Sequence, residues 1–290
     1  PPPAPASTGH DEELLGGVPL YETATAAGPA VGPRLLLYYL GPVLRRFDSK
    51  YPSQQTARTL ELLGAIADAV EALGFAKVVL KGRHTVSDVR AFTSRGWSAW
   101  PSYSYLVCLE DLAAQRARVE QNLRRLIDRC DADGLTVDED DDFDGFLKLH
   151  ALTMDHHGAG RYLPDAMFRR WFELLHNQGL ARLFQARLPG GQSIAAQLVL
   201  VGDHPVTHTV SAAIDPEHRR LGAAAFLRWR VFEWLAAKGF RGNDLTDAAL
   251  NSVTHFKSQL GGDLVTNLVV ETPGSWRWRT TATLRDSYRS

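Results

Sequence analysis

The chain has 290 residues, of which 44% are hydrophobic and 22% are charged, a composition typical of a globular protein with one large or two ordinary domains. Its formal net charge of -1 excludes a general electrostatic attraction to polyanions. The only two cysteines, Cys108 and Cys130, have no metal-ligand spacing, which favours reduced thiols in a cytoplasmic protein over a disulfide scaffold.

The chain opens with residues 1–16, which are rich in proline and lack an initial Met, so we expect a flexible tail that was processed or altered at its start. This opening has no apolar core of the kind that signal peptides carry. No apolar run elsewhere approaches the roughly 20 residues that a membrane helix requires, and we therefore expect no membrane span.

The segment 17–117 alternates between strand and helix patterns. An apolar, strand-like run in VGPRLLLYYLGPVL is interrupted by Gly41 and Pro42. Apolar residues then recur at helical spacing from Gln55 to Leu73, and Gly74 follows as a C-cap. The next segments indicate a strand, a helix and a strand: FAKVVLKG, VSDVRAFTSRGW and SAWPSYSYLVCLE. This alternation predicts an α/β lobe, shortened relative to the second.

The segment 118–290 predicts a second lobe. A continuous helix over residues 112–134 is expected to join the two lobes. The pattern then indicates a strand, two helices, and three antiparallel strands that turn at Pro189-Gly190-Gly191 and at Gly202-Asp203. A strong helix, a strand, a short helix and a last strand complete the lobe: RRLGAAAFLRWRVFEWLAAKG, FRGNDLT, NSVTHFKSQLGG and DLVTNLVVE.

The junction SAAIDPEHRRLGAAAFLRW leads from a strand into a helix whose first turn consists of small residues. Small residues let backbone N–H groups approach a ligand, and the positive end of a helix favours an anion such as a pyrophosphate. Equally, Gly222 and the alanines can serve close packing of the helix on a sheet. The residues of this candidate donor-binding cradle are Arg219, Arg220, Gly222, Ala223 and Ala224.

RRLGAA resembles the Arg/Gln-x-x-Gly-x-Gly/Ala loop of the GNAT acyltransferase superfamily, through Arg219, Gly222 and Ala224. NDLTDAALNSVTHFKSQLGG is similar to the FemABX-like double-GNAT proteins, which carry an Asp-containing strand and then a helix with Phe-Lys and Gly. The resemblance implies tandem GNAT-like lobes, 17–117 and 118–290, each a mixed, mostly antiparallel sheet flanked by helices. No inserted helical hairpin of the peptidoglycan-bridge enzymes is evident.

The resemblance also implies a reaction, direct attack by an amine on an activated acyl group without a covalent enzyme intermediate. The donor is either an acyl-CoA or an aminoacyl-tRNA, with no tightly bound cofactor and, in the second case, the tRNA acceptor end as a partner. The acceptor is an amine-bearing small molecule or peptide, expected between the lobes. Backbone N–H groups of residues 207–214 are the implied donors to the carbonyl.

Lys257, Asp244 and His208 are the candidate catalytic residues. By resemblance, Lys257 faces the cleft and offers positive charge to the acyl donor or to the oxyanion formed during transfer, with Phe256 packed beneath it. The local pattern also permits a plain alternative, in which Gly261 and Gly262 end a short helix and the lysine is solvated near its negative end. His208 or Asp244 would take the amine proton; either can instead be a strand histidine or a residue that braces a turn.

Further substrate contacts are expected from Phe256, from Arg161 in the glycine-rich loop HHGAGRYLP, and from Arg124 on the joining helix. Both arginines can also be ordinary surface residues. We expect no metal site, because His156 and His157 lack complementary ligands and the acidic run DEDDDFDGF lacks the ligand pattern of a calcium loop. The rival function is a non-catalytic GNAT-like module that binds a ligand or a partner.

Overall fold

The computed structural model describes residues 14–34 and 36–280, with the side chain of Ser252 left out. Most of the predicted flexible tail, residues 1–13, lies outside this range. Contacts group the described residues into two compact units, one made of Ser102–Thr266 and the other of the described residues before and after that segment. This grouping differs from two consecutive lobes because the last strand returns to the first unit; the division into lobes stays a prediction.

The first unit is a small sheet covered by one long helix. Its strand β3 pairs antiparallel with β2 and parallel with β5, and Val269 of the returning strand β12 pairs antiparallel with Lys81 of β5. Leu63 and Ala67 on the helix pack with Leu80 and Phe92 in its core. The elements are β1 (Gly16–Gly17), β2 (Glu22–Thr25), β3 (Gly28–Val31), β4 (Val43–Leu44), α1 (Pro52–Ala72), β5 (Lys77–Lys81) and α2 (Arg90–Thr93).

Two sequence-based elements of this unit are shorter than predicted. The expected strand before α1 is reduced to β4 and to isolated bridges, Arg34 with Leu37 and Leu40 with Lys81. A Cβ on Gly41 would lie 2.5 Å from the backbone of Gly82, so this stretch serves as a close crossing and not as a ladder. The second helix is a single turn.

The second unit consists of a mixed sheet flanked by helices. The chain passes between the units along β6 (Ser98–Cys108) and β12 (Asp263–Glu271). The other elements are α3 (Leu112–Arg118), α4 (Gln121–Ala132), β7 (Thr136–Asp140), α5 (Phe143–His157), α6 (Asp165–Asn177), β8 (Ala181–Arg187), β9 (Ser193–Leu200), β10 (Val206–Ile214), the 3₁₀ helix η1 (Pro216–Leu221), α7 (Ala223–Ala237), β11 (Gly242–Asp244) and α8 (Ser252–Gln259). The predicted α/β class is confirmed.

Strands β7 to β10 form an antiparallel meander, in which the predicted trio of antiparallel strands occupies β8, β9 and β10. Strand β11 lies parallel to β10 and antiparallel to β6. Parallel neighbours need a crossover connection. Here the crossover is α7, a helix whose residues are apolar almost all round and whose Phe226, Phe232 and Leu235 are fully buried in the core.

The prediction of a single joining helix over 112–134 is wrong, because the helix is interrupted at Val119 and divides into α3 and α4. Val119 has extended backbone angles and is buried among the core residues of this unit. The next backbone N–H, of Glu120, donates to the carbonyl of Gln259 at 2.9 Å. Tertiary packing thus overrides a continuous helical pattern.

The glycine pair that follows α8 has a packing role. Gly261 has φ +78°, and a Cβ there would lie 2.8 Å from Arg118 Cβ and 2.9 Å from Gln115 Nε2. The same Gln115 Nε2 donates to the carbonyl of Leu260 at 3.0 Å. Gly261 therefore ends α8 in the left-handed conformation and lets α3 approach, as the plain alternative expected of this glycine. The solvated lysine of that alternative is wrong, because Lys257 is buried.

We predict that Gly261→Ala lowers the free energy of unfolding by about 2–4 kcal/mol, because strain from the positive φ and the clash with α3 add. The matched control is Gly239→Ala, which has φ +87° but no atom within 4 Å of the new methyl group. The control substitution should lower the free energy of unfolding by only about 1–2 kcal/mol. Urea unfolding measures both, and equal losses would contradict the close-packing role.

Candidate functional site

The site begins where β10 leaves β11. The two strands pair only from Val206 with Gly242 to His208 with Asp244. Beyond that point β10 continues to Ile214 along β9, with a register shift between Thr209 and Ser211. A shift of this kind is a bulge, which bends a strand and disturbs its ladder. The far half of β10 therefore borders an opening in the sheet.

A cavity of about 270 Å³ lies beside this half of β10. All its walls come from the second unit. They are mostly small or apolar, which suits an aliphatic chain. The walls include Ala212 and Ala213 of β10, Gly222 and Ala224 at the start of α7, Arg228 on its second turn, and Phe256 of α8.

The approach to α7 is held by hydrogen bonds from α4. Arg129 Nη2 donates to the carbonyls of Arg220 and Leu221 at 3.1 and 3.0 Å. Gly222 then starts α7 with φ +89°. Its φ favours glycine, and a Cβ there would lie 2.6 Å from Leu126 Cβ. Gly222 therefore serves close packing, though against helix α4 and not against the sheet as the packing alternative expected. It also lines the cavity, and its role in binding a donor stays a prediction.

The predicted cradle is only partly assembled around this cavity. Arg219, Gly222 and Ala224 contribute to its walls, whereas Ala223 is buried in the core. Arg220 lies on η1 and presents its carbonyl to Arg129. The first N–H groups of a helix lack intrahelical acceptors. The start of α7 can therefore donate to an anion at the cavity, and the role of each cradle residue stays a prediction.

Lys257 is buried, with 9% of its surface exposed, and is directed towards the backbone. Its Nζ donates to the carbonyls of Thr246 and Asp247, both at 2.6 Å. These two residues have positive φ angles of 49° and 23°, which are unusual for residues other than glycine. The ammonium thus stabilises a left-handed turn directly after β11. Phe256, its neighbour on α8, is the one that lines the cavity.

Asp244 takes part in the same turn. Its carboxylate is 1% exposed and accepts hydrogen bonds from the Thr246 backbone N–H at 2.7 Å and from Ser104 Oγ at 3.4 Å. Thr246 Oγ1 in turn donates to the carbonyl of Thr209 at 2.8 Å, across the point where the strands part. The structure therefore brings His208, Asp244 and Lys257 to one end of β11. Their catalytic roles stay predictions.

The two arginines expected to contact substrate lie elsewhere in the same unit. Arg161 is exposed and forms an ion pair with Asp165 at 2.8 Å, an i,i+4 pair at the start of α6. Arg124 lies half-buried on α4, outside the walls of the cavity. Neither is brought to the opening beside β10.

Two residues that the sequence did not single out do line the cavity. Arg228 is 6% exposed, and Gln197 is fully buried on β9. Gln197 Nε2 donates to Thr209 Oγ1 at 3.1 Å, while its Oε1 has no hydrogen-bond partner among the described residues. Burial lowers the pKa of the Arg228 guanidinium to about 10. Their signal in the sequence is a polar residue inside an apolar element, FLRWRVF or AAQLVLV.

The acetyltransferase (GNAT) domain family matches residues 114–258, which contain every wall of the cavity. The chain belongs to the GNAT acetyltransferase family. No curated protein sequence matches it. In the part of this GNAT chain that the structure describes, no helix has both the length and the apolar character needed to cross a bilayer.

Solved structures share the fold at low identity. FemX is similar with a TM-score of 0.67 and 13% identity, covering 91% of this chain and 86% of FemX. The L-PGS of Bacillus licheniformis has a TM-score of 0.61 and 10% identity, and the match covers 93% of this chain and 85% of L-PGS. A tandem GNAT protein of the clavulanic acid biosynthesis pathway has a TM-score of 0.52 and 11% identity, and the match covers 91% of this chain and 80% of that protein. The predicted FemABX-like, tandem-GNAT fold is confirmed.

We predict that Lys257→Met lowers the free energy of unfolding by about 1–3 kcal/mol, because two carbonyls of a strained turn lose their donor while the apolar stem is kept. The matched control is Lys148→Met on the exposed face of α5, which should stay within about 0.5 kcal/mol of the parent. Thermal or urea unfolding decides, and a Lys257→Met variant as stable as its control would contradict the bracing role.

Proposed function

We propose that this GNAT-family chain is an N-acyltransferase. The amine nitrogen bonds to the donor's carbonyl carbon, the bond from that carbon to sulfur or oxygen breaks, and the amine proton passes to a base. The observation that carries the proposal is the parting of β10 from β11 next to the cavity. Backbone groups there can bind a carbonyl oxygen as it gains negative charge.

The donor that the site favours is an acyl-CoA. Its pantetheine arm matches the small, apolar walls formed by Ala212, Ala213 and Ala224, and its phosphates match the start of α7 at Gly222. The Phe-Lys resemblance to FemABX-like proteins supports an aminoacyl-tRNA as the second candidate donor. A local binding strip for a tRNA end would still be needed, and Arg124 on α4 is the residue proposed for it.

The catalytic residues are proposed in different roles. His208 is half-buried at the last pair before the strands part, where an imidazole can accept the amine proton. Asp244 and Lys257 hold the turn at 244–247, so we propose that they position the opening. Positive charge from Lys257 would also favour an oxyanion nearby.

A non-catalytic ligand-binding module is the second candidate function. It is favoured by the engagement of Asp244 and Lys257 with backbone atoms of the turn. The two functions are separated by mass spectrometry of products from a mixed pool of amines, offered with acyl-CoAs or with charged tRNAs. A new amide from either pool supports the transferase; stabilisation by coenzyme A without any product supports the module.

We predict that Ala224→Leu reduces transfer on the order of 10²-fold, because the larger side chain displaces the donor from the cavity wall. The chain should remain folded, since Ala224 is half-buried and has an ordinary helical position. Ala237→Leu, on the exposed last turn of α7, is the matched control and should keep the parent rate. Parent-like initial rates in both variants would argue against this cavity as the donor site.

A further inference from the structure

Arg228, on the second turn of α7, carries a buried guanidinium. Only 6% of the residue is exposed, and Arg228 contributes to the cavity wall. Its Nη1 has no hydrogen-bond partner, and no carboxylate pairs with it anywhere in residues 14–34 and 36–280. Arg230, two residues later, shows the usual arrangement, because it pairs with Asp131 and with Glu233.

An unpaired, buried cation is unfavourable for the free chain. Burial lowers the pKa of Arg228 to about 10, so the group still carries its charge at neutral pH. Removing such a charge from water is costly unless an opposite charge accompanies it. An apolar side chain at this position would serve packing better. The charge is therefore explained if a ligand supplies the counter-ion.

The surroundings specify what that ligand carries. A guanidinium presents a planar fork of N–H donors that matches the oxygens of a carboxylate or a phosphate. The start of α7, at Gly222 and Ala224 of the same cavity, adds partial positive charge and further favours an anion. The neighbouring walls at Ala212 and Ala213 accept an aliphatic segment. An aliphatic chain with an anionic group fits both features.

We propose that Arg228 binds an anionic group of the donor, either a carboxylate at the end of its acyl group or one of its phosphates. The proposal deepens the proposed function, because it rests on the cavity as the donor site. If the carboxylate is the partner, the chain selects dicarboxylic acyl groups over neutral acyl groups of equal length. If the phosphate is the partner, Arg228 contributes equally to every CoA donor.

The test measures equilibrium binding by calorimetry with three probes on the full chain: butyryl-CoA, succinyl-CoA and pantetheine. Butyryl and succinyl groups have equal length and differ in the terminal carboxylate, while pantetheine lacks the phosphates. The variant is Arg228→Gln, with Arg228→Lys as the charge-preserving partner. Arg230→Gln, on the same helix but paired with acidic side chains, is the control and should bind like the parent chain.

We expect Arg228→Gln to lower the affinity for succinyl-CoA by about 10- to 100-fold, and Arg228→Lys to recover part of that affinity. A loss for succinyl-CoA alone identifies the carboxylate, and an equal loss for both CoA esters with unchanged pantetheine identifies the phosphate. Without ligand, Arg228→Gln should melt at or above the parent temperature, because an uncompensated charge is removed.

Parent-like binding of both esters by Arg228→Gln, or a parent chain that binds neither ester, would overturn the proposal. Calorimetry measures binding without turnover. The role of Arg228 in binding and the transferase function are therefore tested independently of each other. A chain that discriminates the probes through Arg228 but forms no product contradicts the transferase alone. A chain that forms product with no dependence on Arg228 contradicts this inference alone.

Discussion

The candidate site depends on one constraint, that β11 stops pairing with β10 after His208 and Asp244 while β10 continues along β9. Backbone N–H and C=O groups inside a protein must find partners. The bulge near Val210 changes where these groups of β10 are directed. One of them, the carbonyl of Thr209, is satisfied by Thr246 Oγ1 from the far side of the opening. A hydrogen bond thus spans the opening and fixes the turn after β11 relative to β10.

The turn that follows β11 maintains this separation. Thr246 and Asp247 adopt left-handed backbone angles, which cost free energy for residues with a Cβ. Lys257 compensates by donating to both carbonyls, and the Asp244 carboxylate accepts the Thr246 N–H. The Phe-Lys pair of α8 therefore has divided tasks: Lys257 supports the turn, and Phe256 forms part of the cavity. Both tasks act on the same opening.

Much of the fold could be predicted because local signals agree with tertiary structure. The periodicity of α1 and the glycine turns of the β8 to β10 meander identify these elements correctly. The break at Val119 could not be read from sequence, since it depends on packing against distant core residues and on the carbonyl of Gln259. The reduced strand before α1 likewise reflects the close approach of Gly41 to Gly82.

The site was predictable where a backbone motif carries the signal and not where burial does. Gly222 and Ala224 follow from a small-residue loop between a strand and a helix, and both line the cavity. The direction of Lys257 depends on where the turn at 246–247 folds back, which no local pattern encodes. Arg228 resembles any helical arginine until the helix is known to be buried on nearly every side.

A crystal structure of the chain with coenzyme A would show whether the cavity beside β10 is the donor site. We expect a pantetheine arm beside Ala212 and Ala213 of β10, with phosphate oxygens accepting hydrogen bonds from the first backbone N–H groups of α7. Coenzyme A bound away from the β10 opening, with the cavity walls at Gly222 and Phe256 untouched, would contradict this expectation.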